Sequence, residues 1–147
     1  ADQSLYGPDG WFLHDVLELD VEGRRVVGLV DTTRLGPIVD AQRVSPGHPR
    51  HVPGAVVVQL TATLANLLSA YVLAMPRTEG WVGFGTHIHE ARFPSIGQIG
   101  PAMEVTCTAL KVRSFRGTTF VRYAYHYVQE GRDVYVAEHT GAWFKGD

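Results

Sequence analysis

Cysteine is almost missing from this chain: Cys107 is the only one in 147 residues. An intrachain disulfide and a cysteine-based metal cluster are therefore excluded, and a reducing, cytoplasmic compartment is expected. An excess of one charge is also missing. Thirteen Lys and Arg stand against 15 Asp and Glu, for a net charge of -2, and no basic block occurs. Nucleic acid is excluded as a partner on that balance. There is no internal repeat, linker or low-complexity stretch, so a single domain over residues 1–147 is expected. The chain opens on Ala1 without a basic-then-apolar leader, and no secretory signal is expected.

The longest gap is in charge. Nothing from Val52 to Met75 carries any. That run is long enough to span a bilayer. It also holds Gln59, Thr61, Thr63, Asn66 and Ser69, which lipid penalises, and no Lys/Arg cluster flanks it. A helix buried on most sides of a soluble fold is the expectation, with no membrane insertion.

What is present is mostly strand. Trp11 to Leu19 and Arg25 to Asp31 are two expected strands joined at Glu22-Gly23. A loop from Thr32 to Pro53 follows, long enough to suggest a functional role. Pro53-Gly54 opens a helix expected from Gly54 to Leu73, with Pro76 ending it. Trp81 to Phe93, Ala102 to Val112, Thr118 to Glu130 and Asp133 to Phe144 then read as strands. Hairpin signals stand at Phe115-Arg116-Gly117 and Glu130-Gly131-Arg132. A helix apolar on nearly all sides must be covered on nearly all sides. One curved antiparallel sheet wrapped around it does so, an α+β arrangement.

Four stretches also resemble a known family. They are Phe12 to Gly23; Gly47-His48 with Pro53-Gly54-Ala55-Val56; Glu90-Ala91-Arg92-Phe93; and Ile99-Gly100 before Met103. Together they resemble the hotdog-fold (3R)-hydroxyacyl-carrier-protein dehydratases over Trp11 to Phe144. His51-Val52-Pro53-Gly54 is similar to a run in the A-factor biosynthesis enzymes, hotdog proteins that act on acyl thioesters. The resemblance implies a hotdog fold and an acyl group carried by acyl carrier protein or coenzyme A. It implies a homodimer or higher oligomer with sites at the interface, and no metal or redox cofactor.

It also implies roles for residues. In the family a loop histidine acts on the α-carbon proton, a helix glutamate handles the β-hydroxyl, and backbone N–H groups at the helix start polarise the carbonyl. The helix start here is Gly54 and Ala55, where unpaired donors and the positive dipole end can stabilise an oxyanion. His48 and His51 are both candidates for the base, and the choice between them stays open. The glutamate position falls on Gln59, which cannot act as an acid or base but can bond water, a hydroxyl or an amine. Gln59, Thr63 and Asn66 form one polar stripe at i, i+4 and i+7. Gln59 and Thr63 are candidates to line the reaction chamber, and Asn66 reads as structural.

Phe84, Gly85 and Arg50 complete the candidate substrate-binding set, with Arg43 and Arg50 able to hold a carboxylate. His87 and His89 share one strand face, but no further ligand cluster accompanies them, and packing is preferred to a metal. His126 and His139 read as structural. Lys111, Arg113 and Arg116 cluster at a hairpin and suit either a solvated turn or an acidic carrier or phosphate. The expected activity is thioester hydrolysis or conjugate addition of a nucleophile, for example glycine, to an enoyl thioester. A dehydratase drawing its acid from elsewhere, such as Asp40, and a non-catalytic acyl-binding subunit are the alternatives.

Overall fold

In the computed structural model, which describes residues 4–146, strands β1 (Asp15–Asp20) and β2 (Arg25–Val30) precede a short helix α1 (Pro37–Asp40). The long helix α2 (Gly54–Tyr71) follows, then β3 (Trp81–Arg92), β4 (Met103–Phe115), β5 (Thr118–Gln129) and β6 (Arg132–Lys145). The strands form one six-stranded antiparallel sheet in the order β1-β2-β4-β5-β6-β3. The sheet curves around α2, as the burial argument requires. The uncharged run is thus the core helix, with Val56, Val57, Leu60, Leu64 and Leu68 buried against the sheet.

Both long hairpins turn on two residues with positive φ, Arg116-Gly117 and Glu130-Gly131. Such turns match the twist of paired strands. Strands β5 and β6 alternate buried and accessible along their length. Their concave-facing residues therefore include Tyr123, Tyr125, Tyr127, Tyr135 and His139. Tyr125 and Tyr127 donate their hydroxyls to the Thr61 and Val57 carbonyls of α2, at 3.1 and 3.2 Å. Tyr123 meets Ser69 Oγ at 2.6 Å and accepts from Trp143 Nε1 at 2.8 Å. Those bonds pin helix to sheet.

Several sequence boundaries shift. Trp11 to His14 is not strand. Phe12 sits at φ 58°, which breaks the extended run, and the Gly10 and Trp11 carbonyls bond to side chains of α2. Helix α2 stops at Tyr71, earlier than Leu73. Ala74 at φ 56° ends it, with Met75 N–H donating to Ser69 O, so Pro76 lies past the stop rather than making it. Strand β4 runs on to Phe115 because its partner β5 continues to Thr118. The long loop is not structureless: it carries a 3-10 turn at Thr32–Arg34 as well as α1.

Candidate functional site

The start of α2 is open. Val56 and Val57 N–H both donate to Pro53 O, while Gly54 and Ala55 N–H find no backbone acceptor among the described residues, and both residues are exposed. Two free donors at the positive end of an 18-residue helix are suited to an oxygen that gains charge.

His51 stands one short turn before it. Its Nδ1 lies 2.9 Å from Pro49 O, an acceptor only. Nδ1 therefore carries the proton in the neutral ring, and the lone pair is on Nε2. The His51 backbone is clamped: Gln42 Nε2 donates to its carbonyl at 2.7 Å, and its own N–H donates to Gln42 Oε1 at 3.4 Å. On its other side His51 bridges to Gln98. Gln98 is in turn held by Gln129, whose Oε1 accepts from Gln98 N–H at 2.7 Å. Gln129 Nε2 donates to Gln98 O and Pro101 O at 2.9 and 2.8 Å. A glutamine only 1% exposed thus braces the loop behind the histidine.

His48 is exposed on a tight turn closed by its bridge to Ser45, and its ring lies 5.0 Å from that of His51. Arg50 is exposed and shares a surface recess with Asp40 on α1. Gln59 and Thr63 point to the segment crossing the helix: Gln59 Nε2 donates to Gly10 O at 3.5 Å and Thr63 Oγ1 to Trp11 O at 2.9 Å. Gln59 Oε1 makes no bond among the described residues.

Phe84 and Gly85 are elsewhere, in a second region. They line a cavity of about 320 Å³ between α2 and the concave face of β3, β5 and β6. Neighbouring Gly83 has no side chain because a Cβ there would come within 2.6 Å of the Trp143 ring. Asn66 and His139 line the same cavity, although both read as structural in the sequence. His139 meets Tyr135 through Nε2 at 2.9 Å and packs edge-on to Tyr125 at 4.8 Å. Burial, and secondarily His89, hold its pKa below the ordinary imidazole value. Strand alternation puts it in step with buried Tyr135 and Ala137, whereas His126, out of step with Tyr125 and Tyr127, is exposed and pairs with Asp133 at 2.7 Å. Gln42 and Gln129 were likewise missed, since their role depends on loops distant in sequence.

The remaining histidines have local roles. His14 accepts from Asp31 N–H through Nδ1 at 2.9 Å and donates from Nε2 to Arg34 O at 3.0 Å. His87 and His89 stack at 5.7 Å on the face turned away from α2, and His89 bonds Thr140 Oγ1 at 2.6 Å. No group of three His, Cys, Asp or Glu suited to a metal forms among the described residues. Lys111 and Arg113 border an open groove on that same face, with Arg122, His87 and His89; Arg116 lies instead over the Phe115 ring at 5.2 Å. Cys107 is fully buried, and burial pushes its thiol pKa up, so it is no nucleophile.

No protein-family model matches the chain, and no curated protein matches it. Solved structures do. The dehydratase heterocomplex ApeI:P from Xenorhabdus doucetiae aligns at TM-score 0.70 and 12% identity, over 99% of this chain and 90% of that one. S. sahachiroi AziG aligns at TM-score 0.65 and 15% identity, over 95% and 98%. A mutant thioesterase from Pseudomonas aeruginosa aligns at 0.59 and 15%, over 89% and 81%. The chain has the hotdog fold.

Proposed function

We propose that this protein processes acyl thioesters at the start of α2. The observation that carries the reading is the pairing of two free N–H groups, at Gly54 and Ala55, with a histidine whose tautomer leaves Nε2 as a base. His51 is preferred to His48 because its ring and backbone are both held. Water, or an amine, gives a proton to His51 Nε2 as it bonds to the thioester carbonyl carbon. The carbonyl oxygen takes up the electron pair and is held by Gly54 and Ala55 N–H. The carbonyl re-forms, the C–S bond breaks, and the thiol leaves with the proton from His51. Conjugate addition to an enoyl thioester uses the same oxyanion site. Gln59 Oε1 can hold the nucleophile, and Thr63 keeps the covering segment in place.

The structural neighbours include a dehydratase complex and a thioesterase, and the reading brings that class of chemistry to this chain. One geometric fact favours a second reading, a dehydratase or hydratase: His48 and His51 are 5.0 Å apart and could serve as acid and base without a carboxylate. The acyl carrier, acyl carrier protein or coenzyme A, would meet the cationic groove of Lys111, Arg113 and Arg122. Strand β3 is a 12-residue edge with Phe84 and Ile88 exposed, and a second copy pairing there would remove the edge.

Mass spectrometry of the purified protein with acyl, 2-enoyl and 3-hydroxyacyl pantetheine thioesters, with and without glycine, tests the proposal. Free acid or an amine adduct is expected, falling about 10²- to 10⁴-fold in His51→Ala. Interconversion of hydroxyacyl and enoyl forms alone would establish the second reading. No turnover of any thioester would leave a non-catalytic subunit.

A further inference from the structure

The cavity between α2 and the β3–β6 edge carries polar groups that the chemistry at the helix start does not use. At about 320 Å³ it falls near the lower end of small-molecule sites, which run from about 300 to 1,000 Å³. Most of its wall is apolar and small or flat, including Ala62, Ala65, Phe84, Gly141 and Trp143. Asn66 donates Nδ2–H to Ala62 O at 2.8 Å, which leaves Oδ1 without a partner among the described residues. His139 uses Nε2 for Tyr135 and likewise leaves Nδ1 without one. Arg25 Nε is the one fully buried side-chain polar atom lacking a partner among the described residues. Asn66 Oδ1 and His139 Nδ1 therefore open on free space.

The tautomer of His139 follows from Tyr135. That hydroxyl is buried, and burial raises its pKa, so it keeps its proton. His139 Nε2 is its only partner among the described residues, so the phenol donates to it. The neutral imidazole then carries its proton on Nδ1. A donor on β6 and an acceptor on α2 thus belong to residues that line the cavity, Asn66 also bordering a second recess beside Trp11, Leu13 and Thr63. A hydroxyl group, which accepts one bond and donates another, satisfies both.

Their position in the chamber is informative. Gly54, Val58, Ala62 and Asn66 follow one another at i, i+4 and form a single ridge along α2. From Gly54 the helix rises about 12 Å to Ala62 and about 18 Å to Asn66. The Phe93 ring lies beside Gly54 and packs on Tyr135 at 4.9 Å, and Tyr135 holds His139.

We propose that this cavity takes the tail of the acyl group, and that His139 and Asn66 recognise a hydroxyl near its far end. Such a hydroxyl lies well beyond the third carbon, which a thioester carbonyl seated at Gly54 would keep at the helix start. The inference deepens the acyl-thioester reading and rests on it only for the thioester end of the ligand. An unsubstituted tail would displace water from both polar atoms and give nothing back.

Calorimetry with non-hydrolysable pantetheine thioethers tests this, comparing a plain ten-carbon tail with one ending in a hydroxyl. Decanoate and ω-hydroxydecanoate serve as free-acid controls. The hydroxylated tail is expected to bind more than tenfold more tightly. His139→Phe should abolish that preference, while His139→Gln, which keeps a donor, should retain part of it. Imidazole ¹⁵N spectra of the unaltered protein give a readout independent of how the variants fold. The His139 signal should move with the hydroxylated tail and not with the plain one. Equal affinities, a preference that survives His139→Phe, an unmoved His139 signal, or no binding of any compound would overturn the inference. A preference for ω-hydroxydecanoate with no gain from the pantetheine arm would uphold the cavity assignment and remove the acyl-thioester reading.

Discussion

The sheet has two unlike halves. Under α2, strands β2, β4 and β5 press Val26, Val105, Cys107, Tyr125 and Tyr127 against Leu60, Leu64 and Leu68. Tyrosine hydroxyls there bond carbonyls of the helix itself. Beyond the helix, β6 still buries Val134, Tyr135, Ala137 and Trp143, but β3 is accessible along its length. Their concave face borders the cavity, and β3 ends the sheet with Phe84 and Ile88 57% and 59% exposed. Closed packing makes the first half a scaffold, with Arg25 Nε on β2 its one buried side-chain polar atom lacking a partner among the described residues. Open space and unpaired polar atoms leave the second half able to bind something.

The largest expected contrast is in stability. Leu64→Ala removes a side chain with no exposure and should cost about 2–5 kcal/mol by urea denaturation. Phe84→Ala on the open half should cost under about 1 kcal/mol, since surface changes seldom do more. Equal costs would mean that the open half is covered in solution, which is what a partner chain along β3 would produce.

A smaller effect tests the helix–sheet bonds. Tyr125→Phe removes the hydroxyl's bond to the Thr61 carbonyl and keeps the ring, and should lower stability by about 0.5–1.5 kcal/mol. No change would show that those hydroxyls add only packing.

The smallest effect is on pH dependence. The folded His139 has its pKa below the unfolded value, mainly through burial, so the unfolded chain binds the extra proton first. Stability should therefore be full above the ordinary imidazole pKa and fall as pH drops below it. Tyr123 and Tyr125 on β5 and Tyr135 on β6 lie on the ring's own face of the sheet, while His89 on β3 acts on it through its charge from the opposite face. His139→Gln should flatten this part of the pH–stability curve between about pH 7 and 5. An unchanged slope would assign it to other groups.

Much of the architecture is visible in the residues. The polar residues inside the uncharged run from Val52 to Met75 favour a covered helix over a membrane span, and period-two patterning marks β5 and β6 almost to the residue. The boundaries that moved did so for contact reasons. Trp11 to His14 has strand-like composition, yet side chains of α2 take its carbonyls. The helix start was also legible, because Pro53-Gly54 is a local signal, while the sequence left the choice between His48 and His51 open.

Gln59, Thr63 and Asn66 show where reading by periodicity stops. Their spacing establishes that they share a stripe, because that depends on helical geometry alone. What lies opposite depends on strands and loops far off in the chain. Gln59 and Thr63 meet the 10–11 segment, while Asn66 meets the cavity shared with His139, 73 residues away by number. The sequence by itself determined the elements, their order and the apolar face each must bury, because those follow from local periodicity and the cost of exposing apolar surface. Only the tertiary structure decided which buried polar atoms are paired and which face open space, because pairing is set by neighbours that no local pattern specifies.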